Sequence, residues 1–338
     1  KAEAGQAAKT TIAKGVLGVL GASEDLSRIY FASTEVLSGA QKNSAGDVAQ
    51  AGKPNVYLAE GGTLTFVATL AERDLGGSEA NKTEPGAEGI AYVDTSGQPR
   101  LRSTRVSPDG SRLAFQSRAP LTDYDNRDRE SGKAAVEVFT YEAGEAGGEL
   151  RCASCNPSGR RPESREMRTP FVPFFVKSLF TTKVQAAAFI PSWERSLYDS
   201  KALSEDGRLF FNSNDALVPR DTNETMDVYE WEPAGVGSCT ESKPSFSPSN
   251  GGCIYLISTG ESPFESEFWG ASPDGEDVFF TTESSLVPQD PGLVDLYDAR
   301  VDGGFPTPTA KAPCEGEACQ SPPPPPAFGT PASQSYKG

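Results

Sequence analysis

Three acidic stretches recur between predicted strands and carry the residues best suited to bind a metal ion. They span 123–128, 221–227 and 290–295. Calcium takes about six to eight oxygen ligands, which carboxylates and amides at alternating loop positions can supply. The spacing lacks the glycine and terminal glutamate of an EF-hand. The candidate calcium ligands are Asp221, Asn223 and Asp227 in one stretch and Asp123, Asp125 and Asp128 in another.

A second interpretation gives these residues a structural role. Asp and Asn side chains cap turns by accepting hydrogen bonds from nearby backbone N–H groups. The sequence leaves both interpretations open, and calcium is the one cofactor that it suggests.

The chain contains no histidine. This excludes Ser-His-Asp and Cys-His nucleophilic arrangements, histidine-ligated metals and the commonest general base at neutral pH. Carboxylate-only catalysis remains, as in glycoside hydrolysis by two acidic side chains. Because the chain has 47 Asp and Glu residues, no catalytic pair stands out.

The six cysteines form three local pairs. Local pairing in a chain without histidine predicts disulfides, an oxidising compartment and therefore an extracellular or cell-surface location. A redox role for the Cys-x-x-Cys pair is disfavoured, because that pair follows a predicted strand rather than beginning a helix. A four-cysteine zinc site would require distant pairs to converge. The predicted disulfides join Cys152 to Cys155, Cys239 to Cys253 and Cys314 to Cys319.

An insertion at 159–200 is rich in aromatic residues. Such a patch either packs on its own domain or contacts a ligand or another domain. A short helix is predicted at 176–188, between two prolines. The candidate ligand-binding residues are Phe174, Phe175, Trp193 and Tyr198.

The net charge of −16 argues against nucleic acid and anionic lipid as partners, because both bind clustered Lys and Arg. No apolar run approaches the roughly 18–20 residues of a membrane-spanning helix, so no membrane insertion is expected. The first residue is Lys1 rather than Met. We therefore expect a processed or truncated part of a longer chain.

A Ser-x-Asp turn followed by a short β-rich run occurs four times. A later run in each repeat predicts a third strand, and a fourth strand follows in all but the last repeat. Four antiparallel strands per repeat are typical of a β-propeller blade. The turns begin at Ser23, Ser107, Ser204 and Ser272, and the third strands begin at Asn55, Glu137, Asp227 and Asp295.

The Ser-Pro-Asp-Gly turns, the Leu-x-Phe strands and the Asp-Val-Tyr strand resemble the WD40-like repeats of TolB-type propellers. The segments 152–157 and 217–223 resemble parts of large, uncharacterised, secreted bacterial proteins with such repeats. The resemblance covers roughly residues 15–302 and implies an all-β propeller of about four four-stranded blades. In that family the propeller is generally a scaffold or binding module, so no catalytic residue is carried over.

The predicted organisation has three parts. Residues 1–14 form an N-terminal strand or a segment of a preceding blade, 15–305 form the blades with the insertion at 159–200, and 306–338 form a Pro-rich tail or linker. The last blade lacks a fourth strand. Either residues 9–13 supply it and close the ring, or the ring is incomplete and open, which we favour.

The leading functional expectation is a secreted scaffold that binds protein, polysaccharide or other domains of a larger parent chain. The alternative is an extracellular polysaccharide-acting enzyme, a lyase or glycoside hydrolase that uses paired carboxylates or calcium. An enzyme requires carboxyl groups that converge in a concave pocket and have perturbed pKa values.

Overall fold

The computed structural model describes residues 11–72, 74–76, 91–92, 103–168, 183–191, 200–287, 290 and 292–304. These residues are all-β, with one 3₁₀ turn at Glu145–Gly147 and no α-helix among them. The chain divides into two compact units, Lys1–Gly304 and Phe305–Gly338, and the described residues lie in the first. No helix in the described part is long and apolar enough to span a membrane.

The first sheet has four antiparallel strands in sequential order. Its strands match the predicted apolar and aromatic runs, and both faces are buried along β3, where Glu60 is the exposed residue. They are β1 (Val16–Ala22), β2 (Arg28–Ser33), β3 (Asn55–Glu60) and β4 (Thr63–Thr69). A short parallel pair follows, β5 (Leu75–Gly76) with β6 (Ala91–Tyr92).

The second sheet repeats the four-stranded antiparallel order. Its last strand ends at Cys152 as predicted. The strands are β7 (Arg105–Val106), β8 (Arg112–Ser117), β9 (Glu137–Glu142) and β10 (Glu149–Cys152).

A two-stranded antiparallel sheet corrects one prediction. It joins β11 (Arg165–Arg168) to β12 (Lys183–Ala186). The predicted helix at 176–188 is therefore wrong over residues 183–188, because pairing with β11 and with the third sheet overrides local helix propensity. The remainder of that helix prediction, 176–182, lies outside the described residues.

The third sheet has five strands in the order β13-β14-β15-β17-β16, and the fourth sheet has three in the order β18-β19-β20. The missing fourth strand of the last repeat is confirmed within the described residues. The third-sheet strands are β13 (Ala188–Phe189), β14 (Leu209–Ser213), β15 (Asp227–Pro233), β16 (Phe246–Ser247) and β17 (Gly252–Leu256). The fourth-sheet strands are β18 (Glu267–Ala271), β19 (Asp277–Thr282) and β20 (Asp295–Arg300).

The Ser-x-Asp turn has the same hydrogen bonds in all four sheets. Ser23 Oγ donates to Asp25 Oδ1 at 2.7 Å and accepts from the Arg28 N–H at 3.0 Å. The same two bonds form at Ser107, Ser204 and Ser272. Each turn therefore fixes the start of the second strand of its sheet.

The residue after the turn also joins one sheet to the next. Arg28 Nη1 donates to Asp109 O of the second turn at 3.0 Å, and Arg208 Nη1 donates to Gly275 O of the fourth turn at 3.2 Å. Gly207 of the third turn has a φ of +99°, which favours glycine, and its Cα packs against the Arg112 guanidinium, since a Cβ atom there would lie 2.5 Å from Arg112 Nε. These arginine contacts fix the position of each sheet relative to the turn of the next sheet.

Each sheet has two faces because side chains alternate along its strands. We call the face toward the next sheet along the chain the forward face and the opposite one the rear face. At the first junction, Tyr30 of the forward face meets Tyr141 of the next rear face edge-on, with ring centroids 6.1 Å apart. At the third junction, Phe210 stacks on Phe268 at 5.9 Å. The core thus lies between consecutive sheets.

The sheets do not close into a ring among the described residues, because the forward face of the fourth sheet is open to solvent. Two predicted disulfides form, Cys152–Cys155 and Cys239–Cys253, with Cα–Cα distances of 5.5 and 5.6 Å.

We predict that Ser107→Ala lowers the free energy of unfolding by about 1–2 kcal/mol, because a buried hydroxyl that both donates and accepts is lost. Ser111→Ala in the same turn removes one half-exposed bond to Asp109 and should cost less than about 0.5 kcal/mol. Urea denaturation of both variants measures the difference. Equal losses would contradict this role of Ser107.

Candidate functional site

The acidic loop of the third sheet brings its three predicted calcium ligands together. Asn223 Nδ2 donates to Asp227 Oδ2 at 2.7 Å, and Ser258 Oγ donates to Asp227 Oδ1 at 2.5 Å. Tyr229 donates its hydroxyl to Asp221 Oδ2. Asn223 Oδ1 accepts from the Thr225 N–H at 3.0 Å. Most of the oxygens that calcium would need are therefore engaged by hydrogen bonds.

Burial shifts the acidity of two carboxyl groups in this loop. Burial raises the pKa of Asp221 and Asp227 above the usual value, and the hydroxyls of Tyr229 and Ser258 oppose it. Asp221 Oδ1 is buried without a hydrogen bond among the described residues. That oxygen is the strongest feature in favour of a cation, and calcium at this loop stays a prediction.

The hydrogen bonds of the Tyr229 hydroxyl recur in other sheets. A tyrosine in the third strand accepts from a leucine N–H in the preceding loop: Leu37 to Tyr57 at 3.1 Å, Leu217 to Tyr229 at 3.2 Å and Leu286 to Tyr297 at 3.3 Å. Its hydroxyl donates to Glu35 O, Asp221 and Asp290, respectively. The two aspartates therefore serve as acceptors for a tyrosine that anchors its loop.

The acidic loop of the second sheet differs because Phe139 stands where the other sheets have tyrosine. Asp125 turns outward and binds Arg127 Nη2 at 2.6 Å. Asp128 is buried and accepts from Ser131 N at 2.6 Å and Ser164 Oγ at 2.7 Å. Asp123 is exposed. These contacts give the three carboxylates separate surroundings, and calcium here stays a prediction.

Neighbouring groups lower the pKa of two carboxyl groups in this loop. The Arg127 guanidinium lowers the pKa of Asp125 to about 2. Burial alone would raise the pKa of Asp128, but hydrogen bonds from Ser131 and Ser164 lower it to about 2. Neither carboxyl group would act as a general acid near neutral pH.

Two buried carboxyl groups with the opposite shift lie beside the Cys152–Cys155 disulfide. Burial raises the pKa of Glu137 well above its usual value, although Ser154 donates to it. Burial also raises the pKa of Asp215 to about 6, although Asn156 and Arg160 act against it. Both are almost fully enclosed by protein, so a polymeric substrate has no direct path to them.

A Glu137 oxygen and the two sulfurs lie within 4.8 Å of one another. A metal would need free thiolates, whereas these sulfurs are joined in a disulfide. The arrangement is therefore not a metal site in the oxidised protein.

A polar cleft of about 360 Å³ opens between loops of the second and third sheets. Arg129 pairs with Glu163 in it, and Arg165 lies 3.5 Å from Glu265 beside it. Such alternating charges can hydrogen-bond a polar ligand such as a carbohydrate. The lining residues are Asp128, Arg129, Glu130, Glu163, Ser164, Arg165, Asn214 and Glu224.

Sequence reasoning did not identify the open forward face of the fourth sheet. Phe279 and Leu296 are 38% and 62% exposed, whereas Tyr30 and Val56 at the same positions of the first sheet are fully buried. Trp269 is 37% exposed. Alternation along the strand places Phe279 and Phe280 on opposite faces, but it does not show which face is left uncovered, since the equivalent Phe210 and Phe211 of the third sheet are both buried.

Several predicted residues lie outside the described part of the chain. They are the aromatic candidates Phe174, Phe175, Trp193 and Tyr198 and the predicted disulfide pair Cys314 and Cys319.

No protein-family model matches the chain, and no curated protein matches it.

We predict that Tyr229→Phe destabilises the protein by about 1–3 kcal/mol, because the buried Asp221 and the Leu217 N–H both lose a partner. Tyr255→Phe is the matched control, because in the described structure that hydroxyl contacts the exposed Ser238 at 3.0 Å and the side chain of Glu232, and no loop N–H depends on it. Thermal and urea unfolding measure both variants. An effect of Tyr229→Phe no larger than the control would remove the anchoring role.

The raised pKa of Asp215 predicts a pH-dependent stability. The folded state holds this proton up to about pH 6, whereas the ordinary value is 3.8. Stability is therefore fully present below about pH 4 and is lost as pH rises through 6. Asp215→Asn cannot lose a proton, so between pH 4 and 7 it should gain on the order of 2–3 kcal/mol relative to wild type. Denaturation at several pH values tests this, with the exposed Asp123→Asn as control; parallel pH profiles would contradict it.

Proposed function

We propose that this chain is an extracellular scaffold of the β-propeller type that recognises a protein or carbohydrate without catalysing a reaction. The proposal includes an incomplete or open arrangement of blades. Its recognition surface is the forward face of the fourth sheet.

The repeated turns and junctions support the propeller assignment. Each of the four sheets begins its second strand from the same Ser-Asp turn, and an arginine contacts the next turn at each of the three junctions. Radial repetition of small antiparallel sheets is the principle of a propeller. The two disulfides support an extracellular location, because such bonds persist in oxidising compartments.

One observation carries the binding role. Trp269, Phe279 and Leu296 are exposed on the forward face at positions that are buried in the first sheet, and Asp298 lies directly across from Phe279. Large apolar and aromatic groups on one open face are typical of interaction surfaces. By contrast, the acidic residues of the third-sheet loop are engaged in contacts that hold the fold.

The enzymatic alternative rests on the polar cleft. It contains several carboxylates, including Glu130, Glu163 and Glu224, and polysaccharide cleavage requires only two in suitable positions. Glu163 is already paired with Arg129, and Asp128 has a lowered pKa. This environment stabilises carboxylates and does not supply a general acid.

A polysaccharide panel separates the two functions. The purified chain is incubated with each polysaccharide, and both retention and new chain ends are measured. We expect no cleavage. Cleavage that is lost in a folded Glu163→Gln variant would overturn the proposal in favour of the enzyme.

The surface assignment is tested with the same panel and with protein ligands. Phe279→Lys should abolish retention, because a charge replaces an aromatic group at the centre of the face. Thr240→Lys, an equal charge change on an exposed loop of the third sheet, should leave retention unchanged. Retention that survives Phe279→Lys would place the binding surface elsewhere.

A further inference from the structure

We propose that the forward face of the fourth sheet binds a polypeptide segment in which lysine or arginine side chains stand beside apolar ones. This inference rests on the proposed function, because it names the class of partner for the same surface. Its basis is the pair of carboxylates on that face, which the aromatic residues alone do not explain.

The two carboxylates stand among the apolar residues of the face. Asp298 lies directly across from Phe279, at the position that Leu58 has in the first sheet. Glu267, on the first strand of the fourth sheet, has the position of Gly18. The first junction is uncharged at both places, and Leu58 is buried there. The forward face of the fourth sheet is therefore more acidic than the corresponding face of the first.

The charges of these carboxylates are not fully compensated in the described part of the chain. Asp298 Oδ1 is buried without a hydrogen bond, and Oδ2 lies 3.8 Å from Arg300 Nε. That guanidinium is bound to Asp277, with 2.7 Å between Nε and Oδ1. The half-buried Glu267 side chain makes no hydrogen bond or ion pair with the described residues. Burial and the charge of Glu265 raise the pKa of Glu267.

A partner without cations would enclose these carboxylates at a cost. Burying a carboxylate without a counter-charge drives it toward the protonated form. The third junction shows this effect at Glu230, which has the position of Asp298 in its sheet. Burial and the neighbouring Glu232 raise the pKa of Glu230 to about 8. A partner that brings a guanidinium or ammonium group to Asp298 and Glu267 avoids this cost.

Lysine and arginine side chains match both the apolar and the acidic parts of the face. Their stems are apolar and their ends are charged, and a guanidinium is attracted to an aromatic ring within about 6 Å of its centroid. Phe279 and Asp298 are direct cross-strand neighbours, so an arginine that lies over the ring brings its guanidinium to the carboxylate. Trp269 and Leu296, on the strands to either side, supply apolar contact.

A cavity at the end of the face provides a second place for such a side chain. Its volume is about 400 Å³, and Glu267 and Thr281 of the forward face line it together with Phe264 and Val294. Phe264 and Val294 are 47% and 62% exposed. Glu283 also lines the cavity, and no lysine or arginine of the described residues does. The cavity thus combines apolar and acidic groups as the face itself does.

Other polymers fit this surface less well. Asp298, Glu267 and Glu283 repel nucleic acids and anionic polysaccharides. A neutral polysaccharide can stack on Phe279 and Trp269, but its hydroxyl groups bring no positive charge to the carboxylates. A basic protein segment satisfies the apolar and the acidic parts together.

Selection from a library of random dodecapeptides on the immobilised full chain tests the class of partner. We expect the enriched peptides to carry lysine or arginine next to leucine, isoleucine or an aromatic residue, and their affinity to fall as salt is raised. The same selection on the folded Phe279→Lys variant identifies peptides that bind elsewhere. No enrichment over that variant, or enrichment of uncharged or acidic peptides, would overturn the proposal.

Calorimetric titration of an enriched peptide tests its contacts. Asp298→Asn and Glu267→Gln should each weaken binding by about tenfold, because each removes a hydrogen bond between charged groups. Glu24→Gln, which neutralises an exposed carboxylate in the turn of the first sheet, is the matched control and should bind as wild type. Circular dichroism checks that the variants fold. An affinity that both forward-face variants leave unchanged would contradict the proposal.

The polysaccharide panel separates this inference from the binding function itself. If the wild type retains a neutral polysaccharide through Phe279 and enriches no basic peptide, the binding function stands and the basic partner is excluded. If the face binds no polysaccharide, protein or peptide, both the proposed function and this inference fail.

Discussion

A serine hydroxyl holds each hairpin of this protein, and the rest of the repeat depends on it; the serine is buried in the first three turns and half-buried in the fourth. It donates to the turn aspartate and accepts a backbone N–H at the start of the second strand, as at Ser107 and Arg112, and so fixes where that strand begins. That register decides which residues alternate to the forward face, because a slip of one residue would exchange the two faces. It also aims the turn carbonyls at the arginine of the preceding sheet. One local bond therefore sets both the sheet and the junction.

Acidic residues that recur at matching positions in several sheets have a structural role, which distinguishes them from candidate functional residues. Asp221 and Asp290 occur at matching loop positions because each accepts the hydroxyl of a strand tyrosine. Where the tyrosine is replaced by Phe139, the corresponding Asp125 turns to solvent and pairs with Arg127 instead. The contact made by this acidic side chain changes when the neighbouring tyrosine changes, so its presence is explained by the fold. Residues that do not recur from sheet to sheet are not explained in this way.

Much of the fold was predictable from the sequence, because its signals are local. The turns, the strands of each repeat and two cysteine pairs depend on short-range alternation, turn chemistry and loop closure. The strand at Lys183–Ala186 was missed because its partner, Arg165–Arg168, is distant in sequence. In the fourth sheet Asp277 stands where the other sheets have an arginine, and Arg300 stands where they have a glutamate. The sequence did not reveal this exchange, because recognising it requires the strand registers of all four sheets. The open face of Phe279 and Leu296 required knowledge of which sheet is left without a neighbour.

That open face links recognition to stability. Each large apolar side chain left in water forgoes roughly 1.5–3 kcal/mol compared with full burial, and the fourth sheet leaves Trp269, Phe279 and Leu296 substantially exposed. Among the residues that the structure describes, it packs on the third sheet through its rear face, with Phe268 against Phe210. A sheet supported on one side opens locally at lower cost than one held on both. A partner that binds the fourth sheet only in its folded form stabilises that form by mass action. The surface that recognises a partner is thus also the part of the fold that gains most from being covered.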